Sequence, residues 1–238
     1  MNRPEALNAL SRGMFRELEA NLRDASKDRT VSSIIIKGEG RAFSSGLDVK
    51  EVSGFVSRQE ARNFVYSLVK PFWKRFLESE KPILSMVHGP AYGAGAEIAL
   101  ASDMVVASTE STFAFSGGRV GALCCISAAF GQFAMIGRKV VEMNLTGTPI
   151  TADEARSHGL VNYVEENTHL RERVDQLLGE MRSVSPISNA SFKRIHRSLF
   201  TTRVVDLAHR ELFRTITSPD FVKGATAFKE KNHPEYYQ

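Results

Sequence analysis

Two cysteines are all that this 238-residue chain carries, and they are neighbours, Cys124 and Cys125. Adjacent cysteines do not readily bridge each other, so a disulfide framework is excluded and a reducing compartment, by default the cytoplasm, is expected. No apolar run approaches the roughly 20 residues that span a bilayer. The opening Met1-Asn2-Arg3-Pro4-Glu5 has no signal-peptide character. No membrane partner is expected. Charge of one sign is also scarce, with a formal net charge of +4. That balance suits a phosphorylated small ligand and is too weak and scattered to argue for nucleic acid. Metal-ligand spacing, a Walker loop and a Ser-His-Asp signal are all missing, and Gly93-x-Gly95 lacks the rest of a dinucleotide fingerprint.

What remains is ordinary globular composition, 42% hydrophobic and 24% charged, at a length that fits one domain with a substantial core and a small appendage. Leu7, Leu10, Met14, Leu18 and Leu22 recur at helical spacing and predict an amphipathic helix over about 6–27. The β-branched run 31–37 and the aliphatic run 83–87 predict buried strands. Between them, Ser57 with Glu60 reads as a capping box for a helix reaching about Leu77. A short helix is expected over 95–102, strands over 104–108 and 112–115, and helices over 126–136 and 140–145. Thr151 with Glu154 is a second capping box, closed by Gly159. From about His169 the pattern is helical throughout, over 170–183, 187–200 and 203–217, followed by a charged tail. The basic stretch Lys193-Arg194-Ile195-His196-Arg197 reads as a solvated or subunit-facing helix face. Alternating strands and helices followed by helices alone give an α/β fold with a C-terminal helical module.

Two glycine-bearing segments carry the chemistry. Ala42-Phe43-Ser44-Ser45-Gly46-Leu47-Asp48-Val49-Lys50 follows the first strand, and His88-Gly89-Pro90-Ala91-Tyr92-Gly93-Ala94-Gly95-Ala96-Glu97 follows the second and opens into a helix. Glycines at such places let the backbone turn sharply and approach a ligand closely. Two loops of this kind can each aim one N–H at a single oxygen, which is how an oxyanion hole is built. Glu97, close behind Ala94, is placed to move protons nearby.

These segments resemble the crotonase superfamily, the enoyl-CoA hydratase/isomerase group. The resemblance also runs through Asn2-Arg3-Pro4-Glu5-Ala6-Leu7-Asn8-Ala9-Leu10, Leu145-Thr146-Gly147, Ala152-Asp153-Glu154-Ala155 and Gly159-Leu160-Val161. It implies a spiral of ββα units over 1–168 and a helical oligomerisation region over 169–238, assembled as homotrimers or as hexamers made of two trimers. It implies a coenzyme A thioester as ligand, with coenzyme A entering as part of the substrate and no tightly bound cofactor. The oxyanion donors would be the N–H groups of Leu47 and Ala94, with Glu97 as acid/base. Ser45, Gly46, Leu47, Asp48 and Lys50 would lie along the adenine and pantetheine, with Tyr92 and Gly93 beside them. Phe228 and Lys231 match tail positions that contact coenzyme A from a neighbouring subunit.

The sequence also departs from that pattern. Hydratases of the family place two glutamates around one water, and Gly117 stands where the second belongs. Cys125 falls where some aromatic-CoA dehalogenase relatives carry a nucleophilic aspartate, and Arg119 is the nearest cation in sequence to lower its pKa. Ser116 is expected as pocket lining. Relatives carry a strand hairpin before Asn-Arg-Pro, so either a truncated start or a reduced first unit is expected, and Glu5 stands where relatives often have a basic residue. Three functions follow as expectations. The first is enoyl-CoA hydration, or a close hydratase/isomerase reaction, with Glu97 alone. The second is a thioester hydrolase or C–C cleaving enzyme using Cys125 or Arg119, and the third is a coenzyme A thioester-binding subunit with little catalysis.

Overall fold

A strand buried on both faces needs cover, and the chain repeats the same answer turn after turn. The computed structural model describes residues 1–198 and 202–236. Helix α1 (Arg12–Lys27) leads into strand β1 (Ile34–Lys37), followed by helices α2 (Val49–Val52), α3 (Arg58–Phe64) and α4 (Lys70–Leu77). The second turn is β2 (Ile83–Val87), β3 (Ala91–Tyr92) and α5 (Ala94–Ala101). The third is β4 (Met104–Ser108), β5 (Thr112–Ala114), α6 (Cys125–Ala134) and α7 (Lys139–Thr146). Strand β6 (Ile150–Thr151), helix α8 (Ala152–Ser157) and strand β7 (Tyr163–Glu165) come next. The chain then continues as α9 (Leu170–Arg182), α10 (Pro186–Ser198), α11 (Thr202–Ile216) and α12 (Pro219–Glu230).

The strands form a parallel sheet in the order β1-β2-β4-β7 and a smaller sheet in the order β3-β5-β6. Each of the ββα turns that starts at β2 or β4 gives one strand to each sheet. Successive turns stack in parallel, with Leu84 opposite Met104 in the first sheet and Ala91 opposite Phe113 in the second. The first turn joins the second sheet through a single parallel bridge, Ser44 to Ala91. Helices α1 and α4 cover the first turn with an aromatic core, in which Phe15 meets Phe72 edge-on at 5.4 Å between ring centroids.

Several expectations are corrected here. The first helix begins at Arg12, not near residue 6, because Leu7 and Asn8 hold left-handed φ values of 51° and 54°. The buried Asn8 amide donates to the carbonyls of Glu39 and Ala42, and Leu10 bridges Leu47, so these residues tie loops together instead of extending the helix. Strand β1 starts at Ile34, since Val31 is drawn into a turn by its bond to the Asp28 carbonyl. Ser57 caps α3 through Glu60 N–H, but the Glu60 carboxylate turns to Val56 N–H and Arg12, so of the two expected boxes the reciprocal one is formed at Thr151–Glu154. A π-helical turn, Val65–Val69, joins α3 to α4. The charged tail contains α12, which Ser218 caps and Pro219 starts. Residues 199–200 of the expected helix over 187–200 lie outside the described residues. The basic face of α10 turns partly inward, with Lys193 and Arg197 both bound to Asp103.

Candidate active site

The bridge between Ser44 and Ala91 decides the geometry of the site. It brings the segments that follow, Gly46-Leu47 and Gly93-Ala94, side by side. A Cβ on Gly46 would sit 2.7 Å from the Tyr92 carbonyl oxygen and 3.1 Å from Ala94 N. Gly46 and Gly93 hold φ values of 89° and 52°, a region that L side chains rarely occupy. Leu10 N–H donates to the Gly46 carbonyl and Asp48 N–H to the Leu10 carbonyl, so Leu47 turns its own N–H to the opposite edge. Ala94 is the first residue of α5, where a helix leaves its N–H unpaired. Among the described residues neither N–H has a partner. Equivalent positions on neighbouring parallel strands lie about 4.8 Å apart, a spacing from which two N–H groups can converge on one oxygen.

Helix α5 is buried along its whole length, and Glu97, 3% exposed, is its single charged residue. Its carboxylate reaches the start of α6, where Oε1 accepts the N–H of Ile126 at 2.7 Å and of Ser127 at 2.9 Å. The N-cap residue of α6, Cys124, offers no side-chain cap, so these orphan donors are left for Glu97. Burial pushes the Glu97 carboxyl up to about 8, against the two backbone N–H bonds that pull it down. Oε1 takes both of those bonds and leaves Oε2 for the cavity that Glu97 lines.

That cavity holds about 610 Å³. Most of the residues singled out from the sequence meet there: Ser45, Leu47, Asp48, Lys50, Tyr92, Gly93, Ala94, Glu97, Ser116, Gly117, Cys125 and Phe228 all line it. Gly46 shapes it through its backbone contact with Ala94. Asp48 organises the loop, accepting from Glu51 N–H at 3.3 Å and pairing with Arg3 at 3.1 Å. Lys231 ends α12 in a left-handed conformation and stands outside the lining.

Of the expected pocket residues Arg119 and Cys125, the cavity lining includes Cys125 and not Arg119. Arg119 faces away from the cavity, with Nε donating to the Thr146 carbonyl at 3.0 Å. The Cys125 thiol is buried, and burial followed by the Glu97 charge raises its pKa well above the ordinary thiol value. Gly117 lines the cavity without room for a side chain, since a Cβ would lie 2.7 Å from the Ala122 carbonyl and 2.9 Å from Cys124 Sγ. Lining residues that no motif marks include Phe15, Trp73, Leu212 and Phe221. Their signal was only helical periodicity, which marks burial and not a ligand.

No helix among the described residues is long and apolar enough to cross a membrane, and none of their His, Cys, Asp and Glu side chains cluster as a metal site. A family model described as enoyl-CoA hydratase/isomerase matches residues 1–238. The chain is 31% identical to the enoyl-CoA hydratase domain-containing protein 3, mitochondrial, of Rattus norvegicus, over 98% of this chain and 79% of that protein. It is 29% identical to the 2,3-dehydroadipyl-CoA hydratase of Escherichia coli, over 99% of this chain and 92% of that protein. The solved enoyl-CoA hydratase/isomerase of Pseudoalteromonas atlantica superposes with a TM-score of 0.87 at 28% identity, over 100% of this chain and 94% of the other. With its ββα spiral and full-length match, this chain belongs to the enoyl-CoA hydratase/isomerase family of the crotonase superfamily.

Proposed function

We propose that the chain hydrates a 2-enoyl-CoA thioester, using Glu97 as its sole proton-transfer group. The thioester oxygen sits between the N–H groups of Leu47 and Ala94. The Glu97 carboxylate takes a proton from water as the water oxygen bonds to the β-carbon. The displaced π electrons collect on the thioester oxygen as an enolate, which the two N–H donors stabilise. Glu97, now protonated, returns that proton to the α-carbon, which closes the thioester carbonyl and restores the carboxylate.

The observation that carries this reading is the buried Glu97 carboxyl, raised to about 8, at the wall of the cavity that the two glycine turns also line. A group with a pKa near ambient pH serves as base and then as acid without a second carboxylate. Gly117 can supply none. The same reading carries assembly as a homotrimer or as two stacked trimers. What supports it is the exposed apolar side chains of α10, Ile187, Phe192 and Ile195, each at least 65% exposed in the single chain.

The test is loss of enoyl-thioester absorbance on adding crotonyl-CoA, with Glu97→Gln alongside. Turnover that disappears in the variant is the expected result. Equal turnover in both proteins would remove Glu97 from the chemistry.

A further inference from the structure

Glu97 is held by two N–H groups, and part of what holds those groups lies outside the cavity. Both donors, Ile126 and Ser127, belong to the first turn of α6, whose N-cap residue Cys124 offers no side-chain cap. Ser127 is 1% exposed, and its Oγ lies 2.7 Å from Asn144 Oδ1 on α7 and 3.1 Å from the Cys124 carbonyl oxygen. The Asn144 amide is oriented by its other end, where Nδ2 donates to the Val140 carbonyl at 2.8 Å. Oδ1 is then the atom that faces Ser127, and the hydroxyl is the donor across the helix pair. One turn further along each helix, Gly131 meets Val140 so closely that a Cβ on Gly131 would lie 2.2 Å from Val140 Cγ2. The pairs 127–144 and 131–140 set α6 and α7 antiparallel and in one register. Helix α7 is itself tied at its end, where the Thr146 carbonyl accepts from Arg119 Nε at 3.0 Å.

We infer, on the hydration reading above, that Asn144 is a positioning residue for Glu97 and acts through Ser127. Asn144 is half-buried and absent from the cavity lining, so its effect on the substrate passes through α6. Its bond to the Ser127 hydroxyl steadies the turn that carries both N–H donors. Those donors hold Oε1, and because a carboxylate is planar, holding Oε1 twice also aims Oε2 at the cavity. Without the tie, the uncapped start of α6 frays more easily and both bonds to Oε1 weaken. Each of those bonds favours the charged carboxylate, so weakening them makes the base harder to ionise.

The test is the pH profile of kcat/KM for crotonyl-CoA between about pH 6 and 10. It compares wild type, Asn144→Ala, Ser127→Ala and the double variant, with Glu97→Gln identifying the limb that belongs to Glu97. Asn144→Ala should move that limb up by about half to one pH unit, which lowers kcat/KM at pH 7 about three- to tenfold. KM should stay within about twofold of wild type, since the cavity lining is unchanged. Ser127→Ala should move the limb equally and the double variant no further, because each substitution cuts the same link. A limb that stays in place or moves down in Asn144→Ala makes the pair a tie of the fold alone and overturns the inference, while the hydration reading stands. Shifts that add in the double variant overturn the route through Ser127. Wild type without turnover, or without a limb that Glu97→Gln removes, overturns the hydration reading and this inference with it.

Discussion

Glu97 Oε1 accepts the backbone N–H of Ile126 at 2.7 Å, so the proposed proton-transfer group also caps a neighbouring helix. Glu97→Gln keeps a carbonyl oxygen for Ile126 and Ser127 and removes only the titratable proton. Its loss of turnover should be about 100- to 10,000-fold, with the fold intact. Glu97→Ala leaves both N–H groups buried and unpaired, and should cost about 2 kcal/mol of stability besides the activity. Steady-state kinetics with urea unfolding of both variants separates the two roles.

The pH dependence follows from the same group. With the carboxyl near 8, roughly a tenth of the enzyme carries the carboxylate base at pH 7. The rate constant kcat/KM should therefore rise about tenfold between pH 7 and a plateau above 9, and Glu97→Gln should lack that limb. Stability runs the other way. The carboxyl titrates near its ordinary 4.5 in the unfolded chain and near 8 in the folded one, so its contribution is complete below 4.5 and is lost as pH rises through about 8. In that window wild type should lose about 1.4 kcal/mol per pH unit relative to Glu97→Gln. Urea midpoints at pH 5.5 and 8 check the sign, and parallel curves for the two proteins would contradict it.

Asp103 holds two cations of α10 at once, Lys193 and Arg197, whose side chains are only 5% and 11% exposed. Burial lowers the Lys193 pKa, and Asp103 is the group that works against that cost. Asp103→Asn leaves two buried cations with one neutral partner and should destabilise the fold by roughly 3 kcal/mol. Asp103 is absent from the cavity lining, so the folded variant should keep wild-type KM for crotonyl-CoA. Chemical denaturation and kinetics on one preparation measure both.

The strands, the two glycine turns and Glu97 were legible because each depends on local signals: β-branched runs, a glycine where φ is positive, a carboxylate at a fixed offset along a helix. What was not legible depends on packing between distant segments. Leu7 and Leu10 keep helical spacing, yet Leu10 pairs with Leu47 and the helix starts later. Arg119 stands six residues before Cys125, yet its guanidinium binds the 146–148 turn. Part of the cavity lining, Leu212 and Phe221, comes from α11 and α12, more than a hundred residues after Glu97 in the chain. Lys193 and Arg197 look like a solvated face until the position of Asp103 is known.

Both cysteines are buried, and Glu97 beside them raises their pKa values further. Native protein at pH 7.5 should react with iodoacetamide only after denaturant is added. Cys125→Ala should change turnover by less than about tenfold, the scale of a lost packing contact. A loss comparable to that of Glu97→Gln would restore the thiol as a candidate nucleophile.

The two proposed N–H donors depend on a close backbone approach at Gly46, which gives the sharpest test of the proposed oxyanion arrangement. Gly46 has φ of 89°, and a Cβ there would lie 2.7 Å from the Tyr92 carbonyl oxygen. Both are backbone groups, so relief requires one turn to move away from the other. In Gly46→Ala the separation of Leu47 N–H from Ala94 N–H changes, and the pair no longer points at one oxygen. The expected result is a loss of about 100- to 1,000-fold in kcat, with about 1–3 kcal/mol of backbone strain lowering stability. Gly179 supplies the contrast. It lies within α9 with nothing within 4 Å of a Cβ, so Gly179→Ala should leave kcat unchanged and stabilise by up to about 1 kcal/mol. If Gly46→Ala lost stability yet kept wild-type kcat, the two glycine turns would be a structural joint and the enolate would be held elsewhere.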